Sequence, residues 1–416
     1  MDVTNLINTL NQAASSTDIT TAITDAERQE IYQACQKLTS RVESPIDRVI
    51  KTVSDFTIPV VFRIAIDLGI FDIFIESDRE FDIPEIAEHA KCNELLISRV
   101  MRFLVAFHIV DVTPEGKCRA NSFTKNVQPG TLARVLIITF SSVFGPALVK
   151  LPDFLRRNGN AVPESAYKGA FQEAWGTELH MFDWLAEHKT TEIEALHLMM
   201  AAKPSHHGSM WTDLIPDQWI SRIIPSDADD SHAFTIVDVG TSSGIVLDAF
   251  SQRLPAQNFR LILQDLPGVI EGISNATSMC QMTTTAGAKI EKMDHDFFTP
   301  QPVKGANVYI VARNLHDWPD KEALKILKHV QAAMNEQSIL IIYDCVFSDK
   351  LEVVSERDAV ADFGMMAALS SLERTEGQLV NLLQLAGLRL TNMWRSPLAG
   401  AKHAVLAVSL DNQVSR

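Results

Sequence analysis

Residues 236–244 read IVDVGTSSG, and the strand-like run LILQDLP follows, with Asp265 about 21 residues beyond Gly244. An apolar β-run ending in an acid, a glycine turn and a second acid at that distance is the layout by which a βαβ unit holds a nucleoside-containing cofactor. Gly240 and Gly244 let backbone approach a ligand, and Asp265 stands where a carboxylate reaches both ribose hydroxyls. Taken alone, the turn is equally the small-residue bend that any parallel sheet needs between strand and helix.

A second cluster, residues 293–320, reads MDHDFFTPQPVKGANVYIVARNLHDWPD. An acid and an aromatic, Asp296 and Phe297, precede the apolar run NVYIVA, which ends in Arg313, Asn314, Leu315, His316, Asp317 and Trp318. In an open α/β sheet ligands bind beyond the carboxyl ends of the strands, so three successive strand ends converge on one crevice.

Outward from this pair the chain keeps the same alternation. FTIVDV, LILQ, VYIVA and SILIIYD are separated by helical patterns, and RLTNMW and AVLAVSL close the sequence. Strands alternating with helices predict a parallel, doubly wound sheet covered on both faces, with an antiparallel pair at its end. Upstream, residues 131–225 are helical and rich in large side chains. Met181, Met199, Met200 and Met210 beside Trp175, Trp184 and Trp211 suit an adaptable apolar pocket for a flat substrate, although most such residues in a helical layer are core. Residues 46–130 show three helical patterns, one opened by Asp82 as N-cap with Pro84 in the first turn, then a hairpin, VDVTPEGKCRAN. That is the outline of a winged helix. Residues 1–45 alternate apolar and polar at helical spacing and have little core of their own, so they are expected to dock on a partner subunit or a second domain.

DVGTSSG, LQDLP, HDFFTPQP, RNLHDWPD and LERTEGQLVNLLQLAGL resemble, in order and spacing, the successive motifs of plant- and fungal-type small-molecule O-methyltransferases that use S-adenosylmethionine (SAM). The resemblance covers residues 165–410, and the N-terminal part is similar to that family's dimerisation region. It implies a Rossmann-like SAM-methyltransferase sheet over 226–416, a helical connector and pocket wall over 131–225, a winged-helix dimerisation domain over 46–130 and a helical arm over 1–45. It implies a homodimer acting on a hydroxyl of a small aromatic or polyketide-type secondary metabolite. The same fold also houses cyclases and pericyclases that transfer no methyl group, and that alternative stays open.

His316 follows the NVYIVA strand at the mouth of the crevice and occupies the histidine of the family's HDW motif, which assigns it as general base. A histidine titrating near neutrality suits that task. His180, His188, His206 and His207 have no such setting. The resemblance further implies that Asp344, ending SILIIYD, and Glu373, in LERTE, flank the base, one of them orienting it. It implies that Gly240 and Gly244 flank the methionine end of SAM, that Asp265 holds the ribose, that Asp296 and Phe297 hold and stack on adenine, and that Arg313 meets the carboxylate. Three departures mark this chain: Asp344 where the family more often has Glu, Ala312 where its basic residue tends to lie, and Thr241, Ser242 and Ser243 in place of small glycines, whose hydroxyls could bond the cofactor's carboxylate.

Composition excludes several other classes. The formal charge of −15 opposes nucleic-acid binding, which needs basic patches to displace counterions, and the third helix of the winged-helix segment offers only Arg99 and Arg102. No signal peptide or uninterrupted membrane span is read; the longest candidate, residues 58–75, is broken by Arg63, Asp67 and Asp72. Five cysteines, at 35, 92, 118, 280 and 345, form no CxxC or zinc spacing, so reduced thiols, no metal and a cytoplasmic setting are expected.

Overall fold

The unbroken apolar runs become interior strands, because a strand covered on both faces has no polar side to show. The computed structural model describes the chain except for residues 1, 16–22, 78, 202–204, 207–208, 225–233, 242–243, 255–258, 276–283, 285–287, 352–353, 397–401 and 412–416, and, within helices and strands, the side chains at 25–26, 29, 200–201, 205–206, 209–210 and 272–275. Ser242, Ser243, His207 and Cys280 lie outside the described residues, as do the side chains of Met200, His206 and Met210.

The sheet consists of β1 (Phe234–Val239), β2 (Phe259–Asp265), β3 (Ile290–Asp294), β4 (Val308–Ala312), β5 (Ile339–Cys345), β6 (Leu388–Arg395) and β7 (His403–Leu410), in the order β6-β7-β5-β4-β1-β2-β3. β1 to β5 pair in parallel, with Asp238 opposite Ile310 and Leu263, while β7 runs antiparallel to both β5 and β6. The strand order reverses between β1 and β4, and there the carboxyl ends of both strands open the switch point at which ligands bind in such sheets.

Alternate side chains build two cores. Val237, Val239, Tyr309, Val311, Leu340 and Ile342 pack on the helices Asp320–Gln331 and Glu376–Leu385. Ile236, Val308, Ile310, Ile341 and Tyr343 face the helices Ile245–Ser251 and Asp217–Ile223, with Trp211 stacked on Tyr343. Trp211 is therefore core on the sheet's far face, not pocket wall.

By contact clustering the chain divides into two units, Met1–Phe62 and Arg63–Arg416. In the first, Thr24 and Glu27 form a capping box for the helix Asp25–Val42, and Ser44 caps Pro45–Asp55. The latter helix leaves Ile46, Val49, Ile50 and Val53 exposed on one side, with no buried residue.

In the second unit the helices Ile70–Glu76, Ile83–His89 and Glu94–Ala106 precede the antiparallel strands Asp111–Val112 and Cys118–Arg119, which form the winged-helix outline. Asp82 and Glu85 cap the middle helix reciprocally, as the sequence predicts. Among the described residues one helical stretch, Leu132–Arg157, is long and apolar enough to cross a membrane by length and composition alone. The membrane-length candidate is this stretch and not residues 58–75. Its side chains Val143, Phe144, Leu151 and Phe154 join Phe171, Trp184 and the helix Glu356–Leu369 in a third buried cluster.

Candidate active site

At the end of β4 the chain turns sharply. Arg313 adopts φ +55°, a left-handed conformation uncommon for a side-chain-bearing residue, and its N–H donates to the Tyr343 carbonyl at 2.7 Å. Asn314 is buried and donates from Nδ2 to the carbonyls of Val239 and Gly240, both at 3.0 Å, which ties the end of β4 to the glycine turn. Leu315–Asp317 form one 3₁₀ turn before Trp318. The buried guanidinium of Arg374 holds this turn from behind. It donates to the Leu315 carbonyl at 2.6 Å, the Trp318 carbonyl at 2.7 Å and Asp320 Oδ1 at 2.8 Å. Sequence reading assigns no role to Asn314 or Arg374; the ERT of LERTE was the only signal for the latter.

His316, carried on that turn, meets both predicted acids. Nδ1 lies 3.0 Å from Glu373 Oε1, a hydrogen bond, and 3.7 Å from Asp344 Oδ1, while Nε2 lies 3.6 Å from Asp317 Oδ1. The ring keeps 18% of its surface, so it faces an opening. Burial alone would lower its pKa, but the carboxylates of Asp344, Glu373 and Asp317 outweigh that and hold it well above the ordinary histidine value. The same burial and crowding raise Asp344, and raise Asp317 to about 6.

The opening is a cavity of ≈ 180 Å³. Phe144, Met181, Phe182, Met199 and Met365 supply its apolar wall, and Arg313, His316, Asp344, Arg357 and His403 are among its polar lining. Of the predicted pocket residues, Met181 and Met199 line it, whereas Trp175 and Trp184 pack against each other at a tilt of 31° in the adjoining cluster.

The cofactor candidates gather at the neighbouring strand ends. Gly240 has φ +81°, and a Cβ there would sit 2.6 Å from Asn314 Nδ2 and 3.0 Å from the Phe297 ring, so the turn requires glycine on both counts. Gly244, φ +69°, is the N-cap of Ile245–Ser251. Thr241 turns its hydroxyl to Asp238 Oδ2. Asp238 is fully buried, its Oδ1 has no hydrogen-bond partner among the described residues, and burial, opposed by the Thr241 bond and aided by Asp265, raises its pKa to about 7. Asp265 ends β2, where its Oδ1 accepts from the Leu266 N–H at 2.8 Å. Asp296 accepts from the Phe298 N–H at 2.9 Å, a local turn that sets the Phe297 ring against Gly240. Phe298 packs edge-on to Trp318.

His180, which sequence reading set aside, is buried and stacks on Trp318 at 4.4 Å and 15°. Burial lowers its pKa to about 4, so it is neutral, and it serves as a flat ring behind the His316 turn. His188 stacks on Trp184. Cys35, Cys92, Cys118 and Cys345 are free thiols.

Comparison with known proteins adds to this geometry. The O-methyltransferase domain matches residues 207–389, and the O-methyltransferase dimerisation domain matches residues 50–137. Over 397 residues the chain is 30% identical to O-methyltransferase mfmE of Annulohypoxylon moriforme, an alignment that covers 95% of this chain and 93% of that protein. Among solved structures it is similar to one described as a pericyclic reaction enzyme (TM-score 0.81, 28% identity, 99% and 100% of the two chains). It is also similar to LepI in complex with SAM (TM-score 0.80, 28% identity, 98% and 99%).

Proposed function

The chain belongs to the SAM-dependent O-methyltransferase family of fungal secondary metabolism, and on that premise we propose that it methylates a hydroxyl of a small aromatic or polyketide-type metabolite, with His316 taking the hydroxyl's proton. The observation that carries this reading is the His316–Glu373 hydrogen bond at the wall of the cavity.

Glu373 orients the ring through Nδ1 and stabilises its charged form, leaving Nε2 as the nitrogen for the acceptor. Asp344 adds charge at 3.7 Å without a hydrogen bond of its own to the ring, which suits its shorter side chain. Arg374 fixes the carbonyls on either side of His316, so the imidazole cannot drift from the line of attack. The apolar wall of Phe and Met side chains takes the flat body of the acceptor and excludes water.

SAM fits the neighbouring strand ends, where the buried Asp238 keeps an oxygen that has no hydrogen-bond partner among the described residues, and where the Gly240 turn has no room for a side chain. Gly240, Thr241, Gly244, Asp265, Asp296, Phe297 and Arg313 are the residues that would hold it. When bound, SAM supplies a methyl group on a sulfonium, with the electron pair of the broken bond returning to sulfur. A homodimer is supported by the dimerisation-domain match and by the exposed Ile46, Val49, Ile50 and Val53.

A second reading is favoured by the pericyclic enzyme among the structural neighbours: a cyclase on the same scaffold that transfers no methyl group. Calorimetric titration with SAM and its demethylated product separates the cases in two steps. Micromolar binding of both, weakened about 10- to 100-fold by Asp265→Ala as loss of a charge-assisted bond requires, supports the cofactor site. His316→Ala should then keep SAM affinity and abolish transfer to phenolic acceptors. Failure to bind SAM would sink the methyltransferase reading, and near wild-type transfer by His316→Ala would remove the histidine from its role.

A further inference from the structure

The carboxylates that line the cavity, Asp317, Asp344, Asp358 and Glu373, outnumber the guanidiniums of Arg313 and Arg357. All but one of them serve the base. Glu373 bonds Nδ1 of His316, and Asp344 and Asp317 stand 3.7 Å and 3.6 Å from the ring. Asp358 makes no ion pair with His316 among the described residues, and proton transfer gives it no task. Neither guanidinium answers it: Arg313 acts on Asp317, and Arg357 is exposed and forms no ion pair with its neighbour.

Asp358 keeps only 8% of its surface, yet its carboxylate has no hydrogen bond or ion pair among the described residues. Only its N–H is engaged, donating at 3.1 Å to the Ser355 hydroxyl that caps the helix Glu356–Leu369. A side chain at this third helical position can reach back to the N–H of the capping residue, as the short Thr124 does for Asn121. Asp358 makes no such bond and turns to the cavity instead, on the same side of the helix as Ala361 and Met365, which also line it. The helix dipole favours an acid in this turn, but the exposed Glu356 answers it without being buried. A buried carboxylate without a partner is a cost that the fold by itself does not recover.

We propose that Asp358 determines acceptor specificity: besides its hydroxyl, the acceptor carries a basic nitrogen that binds, protonated, against this carboxylate in the cavity wall. This rests on the methyltransferase reading above and narrows its substrate class to amine-bearing phenols and enols. His316 remains the base, neutral before it takes the hydroxyl's proton, so the lining favours a positive group on the incoming molecule and opposes a negative one. The ammonium donates to Asp358 and supplies the partner that the chain itself does not, a charge-assisted bond of the strong kind. The Phe and Met wall holds the rest of the acceptor.

The test needs no knowledge of the natural acceptor. Protein saturated with demethylated SAM is titrated calorimetrically at neutral pH with two amine-bearing phenols of different reach, para-hydroxybenzylamine and tyramine, each against its neutral counterpart, para-cresol and para-ethylphenol. The acid para-hydroxybenzoate is the anionic probe. At least one amine should bind about tenfold or more tightly than its neutral counterpart, as a charge-assisted bond requires, and para-hydroxybenzoate should bind more weakly than para-cresol. Asp358→Asn should erase the amine's advantage, with the affinities for para-cresol and demethylated SAM retained. Less than about tenfold advantage for both amines, tighter binding of para-hydroxybenzoate than of para-cresol, an advantage that survives Asp358→Asn, or no amine binding up to millimolar concentration would each overturn the proposal. Protein that fails to bind demethylated SAM would instead count against the methyltransferase reading, and the same titrations without it still decide the preference for a cation.

Discussion

Replacing Glu373 by Gln tests the electrostatics of the site with almost no change of shape. The amide oxygen still accepts from Nδ1, so the 3.0 Å contact survives and only the charge is lost. A hydrogen bond to a charged group is worth ~1.5–3 kcal/mol and a neutral one ~0.5–1.5 kcal/mol, a difference of about 1–1.5 kcal/mol. At 1.36 kcal/mol per unit, this lowers the His316 pKa by about one unit. Asp344 at 3.7 Å and Asp317 at 3.6 Å remain, so the ring should still titrate above the ordinary histidine range. Ring-labelled NMR across pH reads the midpoint directly, and the rising limb of a pH–rate profile on an unactivated phenol should move down with it. The sign for stability follows from the raised native pKa: the charged ring stabilises the fold fully below its unfolded value, and that contribution is lost as pH rises through the native pKa. The Gln variant should therefore lose it at lower pH. A midpoint within a few tenths of wild type, or a higher one, would refute this account of the site.

Arg374→Met should destabilise the protein by about 3–5 kcal/mol, since it strands two buried carbonyls whose donors no water can replace; thermal unfolding checks this, and a shift under 1 kcal/mol would show that the turn holds itself. Gly240→Ala forces a left-handed φ and a 2.6 Å clash that dislodges Asn314, costing about 2–4 kcal/mol and weakening SAM in calorimetry; wild-type values for both would contradict the tight turn. Asp238 carries a raised pKa of about 7, so wild type should lose stability as pH rises from about 4 to 7, and Asp238→Asn should flatten that slope; an unchanged slope would mean that the acid is not held neutral.

Much of the site is legible in the sequence. The runs FTIVDV, VYIVA and ILIIYDC, which lack the alternation of a half-exposed strand, announced parallel strands, and the acids and glycines at their ends announced the crevice. His316 and its two acids came from motifs, and the structure brings Glu373 to the ring across 57 residues of sequence. Local chemistry was readable too: the Asp82 cap and the turn at Asp296 depend on neighbours a few residues away.

The sequence by itself marked six of the seven strands and the residue types at the crevice, because periodicity and turn chemistry are written in adjacent positions; it did not mark β3, whose short run IEKMD is mostly polar, or the order of the strands in the sheet. It could not determine that Arg374 cages the His316 turn, that Asn314 binds the glycine turn, that His180 stacks on Trp318, or that a third carboxylate, Asp317, faces the free side of the imidazole. Those contacts depend on how distant segments pack and on the few tenths of an ångström that separate a hydrogen bond from a neighbouring charge. Only the tertiary structure sets those separations.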